Sequence, residues 1–171
     1  MSQSIAIIGV GNMGCPMAKN LMKADKSVKV FDVSKKMLEI AKDKNLETAE
    51  NLDDLITDHV ETVITMLPEG KHSKEVYLGD NGIINNVSKN SLLIDCSTID
   101  IQTSIEIGKK ASEKGIEMID APVSGGVMGA QKATLNIMVG GSKEAYENCL
   151  LYTSDAADDS LRVDLGGRRI I

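Results

Sequence analysis

Arginine is missing from the first 161 of the 171 residues, and lysine alone supplies cationic side chains over that stretch. No guanidinium fork is available there to clamp a phosphate in bidentate fashion. Basic clusters are missing as well, and the net charge is −6, which disfavours nucleic acid or an anionic membrane surface as a partner. No apolar run approaches the roughly 20 residues of a membrane span. The first apolar run begins at Ile5, leaving no room for a targeting peptide, so a cytoplasmic protein is expected. Cysteine is scarce: Cys15, Cys96 and Cys149 are odd in number and far apart, a pattern of neither a zinc site nor a disulfide framework, and reduced thiols follow. Cys15 reads as a small buried filler. His59 and His72 stand alone without metal-ligand spacing and are expected at the surface.

What is present starts with an apolar run, Ile5 to Ile8, leading into Gly9-Val10-Gly11-Asn12-Met13-Gly14. This is a strand, a tight turn and the start of a helix. Gly9 permits the turn, Gly11 leaves room for a pyrophosphate, and Gly14 lets the helix lie close to the sheet. The free N–H groups of the helix start, at its positive dipole end, suit an anion. Met13, Met17, Leu21 and Ala24 form an apolar stripe with Lys19 and Lys23 opposite, and Pro16 sits in the first turn, where a missing N–H costs little. A second apolar run, Val28 to Phe31, ends at Asp32, eighteen residues after Gly14. That is close to the spacing of an acid on an adenosine ribose; a carboxylate there accepts from the 2′-hydroxyl and repels a 2′-phosphate. NAD is expected over NADP, with Lys35 and Lys36 the only nearby cations to argue otherwise.

The rest of the chain keeps alternating. Ser34 is placed to cap a helix running to Lys44, and Asn51 to cap a short helix from Leu52 to Ile56. Val63 to Leu67, stopped by Pro68, reads as a buried parallel strand because it is continuously apolar. A helix follows from about Lys71 to Tyr77, then a turn at Gly79 to Gly82. Leu92 to Asp95 is another strand, Ile101 to Lys114 a helix closed by Gly115, and Ile116 to Asp120 a strand. Pro122 to Gly129 reads as a glycine-rich loop, and Leu135 to Val139 as the last strand. The whole is an α/β doubly wound, mostly parallel sheet of Rossmann type in one domain, residues 1–149, with ligands beyond the strand carboxyl ends. Leu67-Pro68, Ser97-Thr98 and Ser124 fall on that edge.

These segments resemble the β-hydroxyacid dehydrogenase family, through GVGNMGCPMAKNL at Gly9 to Leu21, VFD at Val30 to Asp32, TMLP at Thr65 to Pro68, DCSTID at Asp95 to Asp100 and DAPVSGGVMGA at Asp120 to Ala130. The resemblance implies NAD-dependent, reversible oxidation of a small 3-hydroxy acid to its semialdehyde. It puts the substrate carboxylate on Ser124, Gly125 and Gly126 and the nicotinamide beside Thr98, a hydroxyl and free amides being suitable anion donors. Two departures stand out: Ile101 replaces a proline, and Ala133 replaces a glycine before Thr134-Leu135.

The family's acid–base group is a lysine on a later helix, in a glycine-rich motif ending KxxN. No lysine follows Lys143, so no catalytic residue of that kind is expected in this chain, nor the all-α second domain through which the family forms homo-oligomers. The tail, Leu150 to Ile171, holds all three arginines, Arg162, Arg168 and Arg169, whereas the first 149 residues use lysine sixteen times. It resembles translated adapter sequence and is read as foreign to the domain; a natural short form with a disordered end is the other reading. Competing functions are a reductase of the same family acting on tartronate, glyoxylate or succinate semialdehyde, and a non-enzymatic NAD-binding module, which would bind NAD without turnover. A methyltransferase using S-adenosylmethionine also has a glycine turn and a strand-end acid, but Gly14 and the Ser124-Gly125-Gly126 loop speak against it.

Overall fold

The computed structural model describes residues 4–147. In chain order the elements are β1 (Ser4–Ile8), α1 (Gly14–Lys23), β2 (Ser27–Phe31), α2 (Lys35–Asp43), β3 (Glu47–Thr48), α3 (Leu52–Leu55), β4 (Thr62–Thr65) and α4 (Gly70–Leu78). Then come α5 (Ile83–Asn86), β5 (Leu92–Asp95), α6 (Ile101–Glu113), β6 (Glu117–Asp120), β7 (Val123–Ser124), α7 (Gly126–Lys132), β8 (Asn136–Ile137) and β9 (Gly140–Gly141). Cys149 and the tail from Leu150 lie outside the described residues.

Seven strands form one sheet in the order β3-β2-β1-β4-β5-β6-β9, all parallel except β9. The chain winds outward from β1 twice, to β3 on one side and to β6 on the other. Its direction reverses between β1 and β4, which opens a crevice beyond their carboxyl ends. Strand residues alternate between two cores. Ile5, Ile7, Val28, Val30, Ile64 and Ile94 pack under α1 and α2, while Ala6, Ile8, Val63 and Leu93 pack under α3 to α6. Burial on both faces is why these strands read as continuous apolar runs.

Several expectations meet the structure with changes. The buried face of α1 is Gly14, Cys15 and Ala18, while Met17 and Leu21 are partly buried against the core. The face is rotated by about one residue from the expected stripe because the first turn hugs the sheet. Asn51 caps α3 as expected, accepting from Asp54 N at 2.8 Å. Ser34 occupies the position before α2 but makes no side-chain cap. Gly115 is left-handed, φ +70, and Ile116 N donates back to Ala111 O at 3.0 Å, closing α6.

The stretch from Pro122 to Gly129 is not one loop, and Leu135 to Val139 is not the last strand of the sheet. β7 and β8 pair as a separate antiparallel ribbon, Ser124 opposite Asn136, with α7 between them. The three glycines conceal a helix: of them only Gly125 and Gly126 have positive φ, +130 and +61, and the chain is helical from Gly126 to Lys132. Ala133 ends α7 in the left-handed region, φ 57 and ψ 38. An alanine in this conformation carries backbone strain, of order 1–2 kcal/mol.

Candidate functional site

The turn after β1 is wedged between its neighbours. Gly9 N donates to Phe31 O of β2 and Met66 N donates to Ile8 O, both at 2.9 Å. A Cβ on Gly9 would collide with the carbonyl of Met66, and one on Gly14 with the carbonyl of Gly9. Both glycines are demanded by backbone packing. Gly11 differs, since a Cβ there would meet nothing within 4 Å. Its bareness serves no protein contact, and it borders open space.

Asp32, just past β2, is tied to this turn. Its Oδ2 accepts from Val10 N at 2.9 Å and its Oδ1 from Ser34 N at 2.8 Å. A carboxylate has about four acceptor sites, so two remain for a ligand. The residue braces the glycine turn as well as facing the cleft, a role its sequence spacing does not reveal.

The cleft, of about 550 Å³, collects Gly9, Gly11, Asn12, Met13, Gly14, Asp32, Leu67 and Pro68. Phe31, Val33, Leu52, Met66 and Val76 make the lining mostly apolar, and His72, Glu75 and Asn81 add polar groups to it. Its size and its few polar groups match a small-molecule site. The open space over Gly11, the acceptor capacity of Asp32 and the apolar wall fit the diphosphate, ribose and base of a dinucleotide. A second hollow, about 300 Å³, lies between α1, α2 and α7 beside Gly11 and Asn12. It holds Lys19, Lys23 and Lys44 but not Asp32.

Thr98 is exposed, three residues past the end of β5, and is not in the cleft lining. Ser124 closes β7, Gly125 precedes α7 and Gly126 begins it; all three are exposed and also lie outside the lining. They follow β6, farther along the same sheet edge from Asp32.

His59 is exposed, whereas His72 is half-buried and lines the cleft. The surface expectation for His72 is therefore corrected: α4 turns this residue toward the glycine turn, and its Nδ1 is buried without a hydrogen-bond partner. A lone histidine in a lysine-rich segment carries no local signal of this. Asp95 is 1 % exposed. Burial pushes its carboxyl above the usual carboxylate range, against the hydrogen bonds from Ser97 and Thr65 that pull it down. Tyr77, fully buried on α4, is pushed far up by burial and then by the Asp95 charge. A charged residue closing an apolar strand was the visible signal of this cluster. Among the described residues no group of three or more His, Cys, Asp or Glu side chains could hold a metal ion, and no helix is long and apolar enough to cross a membrane.

Comparison with known proteins agrees with the fold. The chain is 44% identical over 142 residues to a 3-hydroxyisobutyrate dehydrogenase of Pseudomonas aeruginosa, covering 83% of this chain and 47% of that one. It is 39% identical over 145 residues to an NAD-dependent L-serine dehydrogenase of the same organism, covering 85% and 48%. A solved Mycobacterium tuberculosis 3-hydroxyisobutyrate dehydrogenase with L-serine superimposes with a TM-score of 0.83 at 33% identity, covering 92% of this chain and 53% of that one. The chain thus spans about half the length of the relatives it matches. Residues 4–158 match the model of the NAD binding domain of 6-phosphogluconate dehydrogenase, and the chain belongs to that family of NAD-binding domains.

Proposed function

We propose that this chain is the cofactor-binding half of an NAD-dependent 3-hydroxy acid dehydrogenase of the 3-hydroxyisobutyrate type, oxidising its substrate reversibly to a semialdehyde. The observation that carries the proposal is the cleft at the β1/β4 reversal, where Gly11 leaves open space and Asp32 keeps spare acceptors beside it. In this reading Gly9, Gly11, Asn12, Met13 and Gly14 form the cradle for the pyrophosphate. Asp32 holds the adenosine ribose, and Leu67, Pro68 and Thr98 lead toward the nicotinamide. Ser124, Gly125 and Gly126 hold the substrate carboxylate by a hydroxyl and backbone amides. When bound, the cofactor supplies the hydride acceptor. The residues here bind and orient; the proton acceptor is to come from a lysine outside residues 1–171, since none follows Lys143.

The same reading keeps the protein in the cytoplasm, makes it a homo-oligomer through a helical second domain, and leaves the isolated chain without turnover. It sets the domain at residues 1–149 with the tail foreign; the family match runs past that border to residue 158, which makes 158 the competing border.

Calorimetric titration of the chain with NAD and NADP tests the proposal. Binding of NAD and weaker binding of NADP are expected, and Asp32→Ala should lower NAD affinity and narrow or remove the preference over NADP, since the repulsion of a 2′-phosphate goes with the carboxylate. No heat with NAD from folded protein would overturn it. A second substrate reading has its own observation: one relative is an NAD-dependent L-serine dehydrogenase and one solved relative carries L-serine. L-Serine differs from 3-hydroxyisobutyrate only in the group on carbon 2. Faster turnover of L-serine by a two-domain form would decide for it.

A further inference from the structure

The buried polar cluster behind the cleft has no part in the binding roles above, yet it joins two pieces of one cleft wall. Asp95 Oδ1 accepts from Thr65 Oγ1 and from Ser97 N, both at 2.9 Å. Ser97 Oγ in turn accepts from Leu67 N at 2.8 Å. Thr65 Oγ1 also lies 2.8 Å from Tyr77 OH. The threonine hydroxyl has one proton, and that proton goes to Asp95, so Tyr77 must be the donor to Thr65. The result is a single polarised run from the phenol through the threonine to the carboxylate, which strengthens each bond in it.

One end of this run fixes the turn after β4, where Leu67 and Pro68 line the cleft; the other fixes α4. Tyr77 and Ser73 lie on the buried side of that helix, while His72 and Val76 line the cleft. We propose that Asp95 is a positioning residue for the cofactor, holding the Leu67–Pro68 turn and helix α4 at the spacing that the dinucleotide needs. The inference rests on the NAD-binding reading above.

Among the described residues no ion pair reaches Asp95, and burying a carboxylate in that way is costly, so an apolar residue would serve a purely structural strand end better. The other oxygen of Asp95 is held only loosely: Oδ2 and Ser73 Oγ make no well-shaped hydrogen bond, although Ser73 lies close enough to favour the carboxylate. What the acid offers instead is one oxygen that takes two donors, one from β4 and one from the Ser97 link to Leu67. An amide can imitate this through its own oxygen; an alanine cannot.

The test uses the full chain with Asp95→Ala, Asp95→Asn, Ser97→Ala and Leu93→Ala, measuring NAD affinity by calorimetry at a temperature where each is folded. Amide exchange at Leu67 is followed in the same samples. Ser97→Ala keeps the test decisive if Asp95→Ala does not fold. Leu93→Ala truncates the same strand in the core, away from the cleft, and serves as a control for lost stability.

Asp95→Ala should weaken NAD by about 10- to 100-fold, the worth of one hydrogen bond to a charged group, and Ser97→Ala, which removes a neutral one, by about 3- to 10-fold. Both should speed exchange at Leu67. Asp95→Asn should recover most of the affinity, and Leu93→Ala should stay within about twofold of the parent despite a lower Tm. Unchanged affinity in Ser97→Ala with the parent chain binding normally overturns the positioning role alone, as does equal weakening in Leu93→Ala. Failure of the parent to bind NAD overturns the cofactor reading and this inference with it.

Discussion

Replacing Gly11 by alanine separates a ligand-facing glycine from a packing glycine. The added methyl would meet no protein atom within 4 Å, and Gly11 is not among the glycines with positive φ. The folded chain should accept the change, and stability should rise by about 0.4–1 kcal/mol because the unfolded chain loses freedom. Bound dinucleotide would meet the methyl directly. Overpacking of a fitted contact costs typically about 1–3 kcal/mol, which is roughly a 5- to 150-fold loss in affinity. Gly14→Ala is the contrast, for its methyl would run into the carbonyl of Gly9. The helix start would have to move, lowering Tm whether or not ligand is present. Thermal unfolding and calorimetric titration of both variants give four numbers with opposite signs. NAD affinity in Gly11→Ala equal to that of the parent would refute the reasoning, since the space over Gly11 would then not be where the diphosphate lies.

Other outcomes follow from the same geometry. Asp32→Asn can accept only one of the two N–H donors from Val10 and Ser34, and it loses a charge-assisted ribose contact; each such bond is worth about 1.5–3 kcal/mol. Both Tm and NAD affinity should therefore fall, and a drop in affinity with Tm unchanged would show that the brace on the turn is not needed. Asp95 has a raised carboxyl pKa because it is buried, so its stabilising contribution is complete below the unfolded value near 3.9 and is lost as pH rises through the folded value. The Tm difference between Asp95→Asn and the parent should move in favour of the variant as pH rises from about 4, and a pH-independent difference would contradict this. Ala133→Gly should stabilise by about 0.5–1 kcal/mol, the left-handed strain released less the added freedom of glycine in the unfolded chain; chemical denaturation measures it. Leu93→Ala, fully buried between β4 and β6, should cost about 2–5 kcal/mol by the same assay.

Much of the fold was legible because its strands are buried on both faces. Ile5 to Ile8, Val63 to Leu67 and Leu92 to Ile94 read as nearly continuous apolar runs, though β4 itself stops at Thr65, and Pro68 and Gly115 mark places where regular structure has stopped. What escaped lies where sequence carries no period. The two-residue strands β3 and β9 are too short for alternation to appear, and they exist because neighbouring backbone is there to pair with. The Pro122 to Gly129 stretch failed for another reason: glycines at 125, 126 and 129 suggest a loop, but only the first two take positive φ. Gly129 is buried inside a helix instead, with its absent side chain leaving room for Leu135.

The cleft shows the same division between local and distant causes. The glycine turn and Asp32 were legible since strand, turn, helix and acid follow each other within thirty residues, and each has a stated need for its residue type. The reading of Asp32 was nonetheless incomplete, because ribose spacing says nothing of the Val10 amide that the carboxylate already holds. Asp95 looks like the end of a strand until Thr65, Tyr77, Ser97 and Leu67 are seen around it, residues up to thirty positions away. No periodicity connects them; only the parallel register that puts Thr65 beside Asp95 does. A buried acid at the end of an apolar strand costs free energy wherever it occurs. In a doubly wound sheet such an acid on the carboxyl edge therefore directs attention to the neighbouring strand ends and to the helix packed over them, where its hydrogen-bond donors must be.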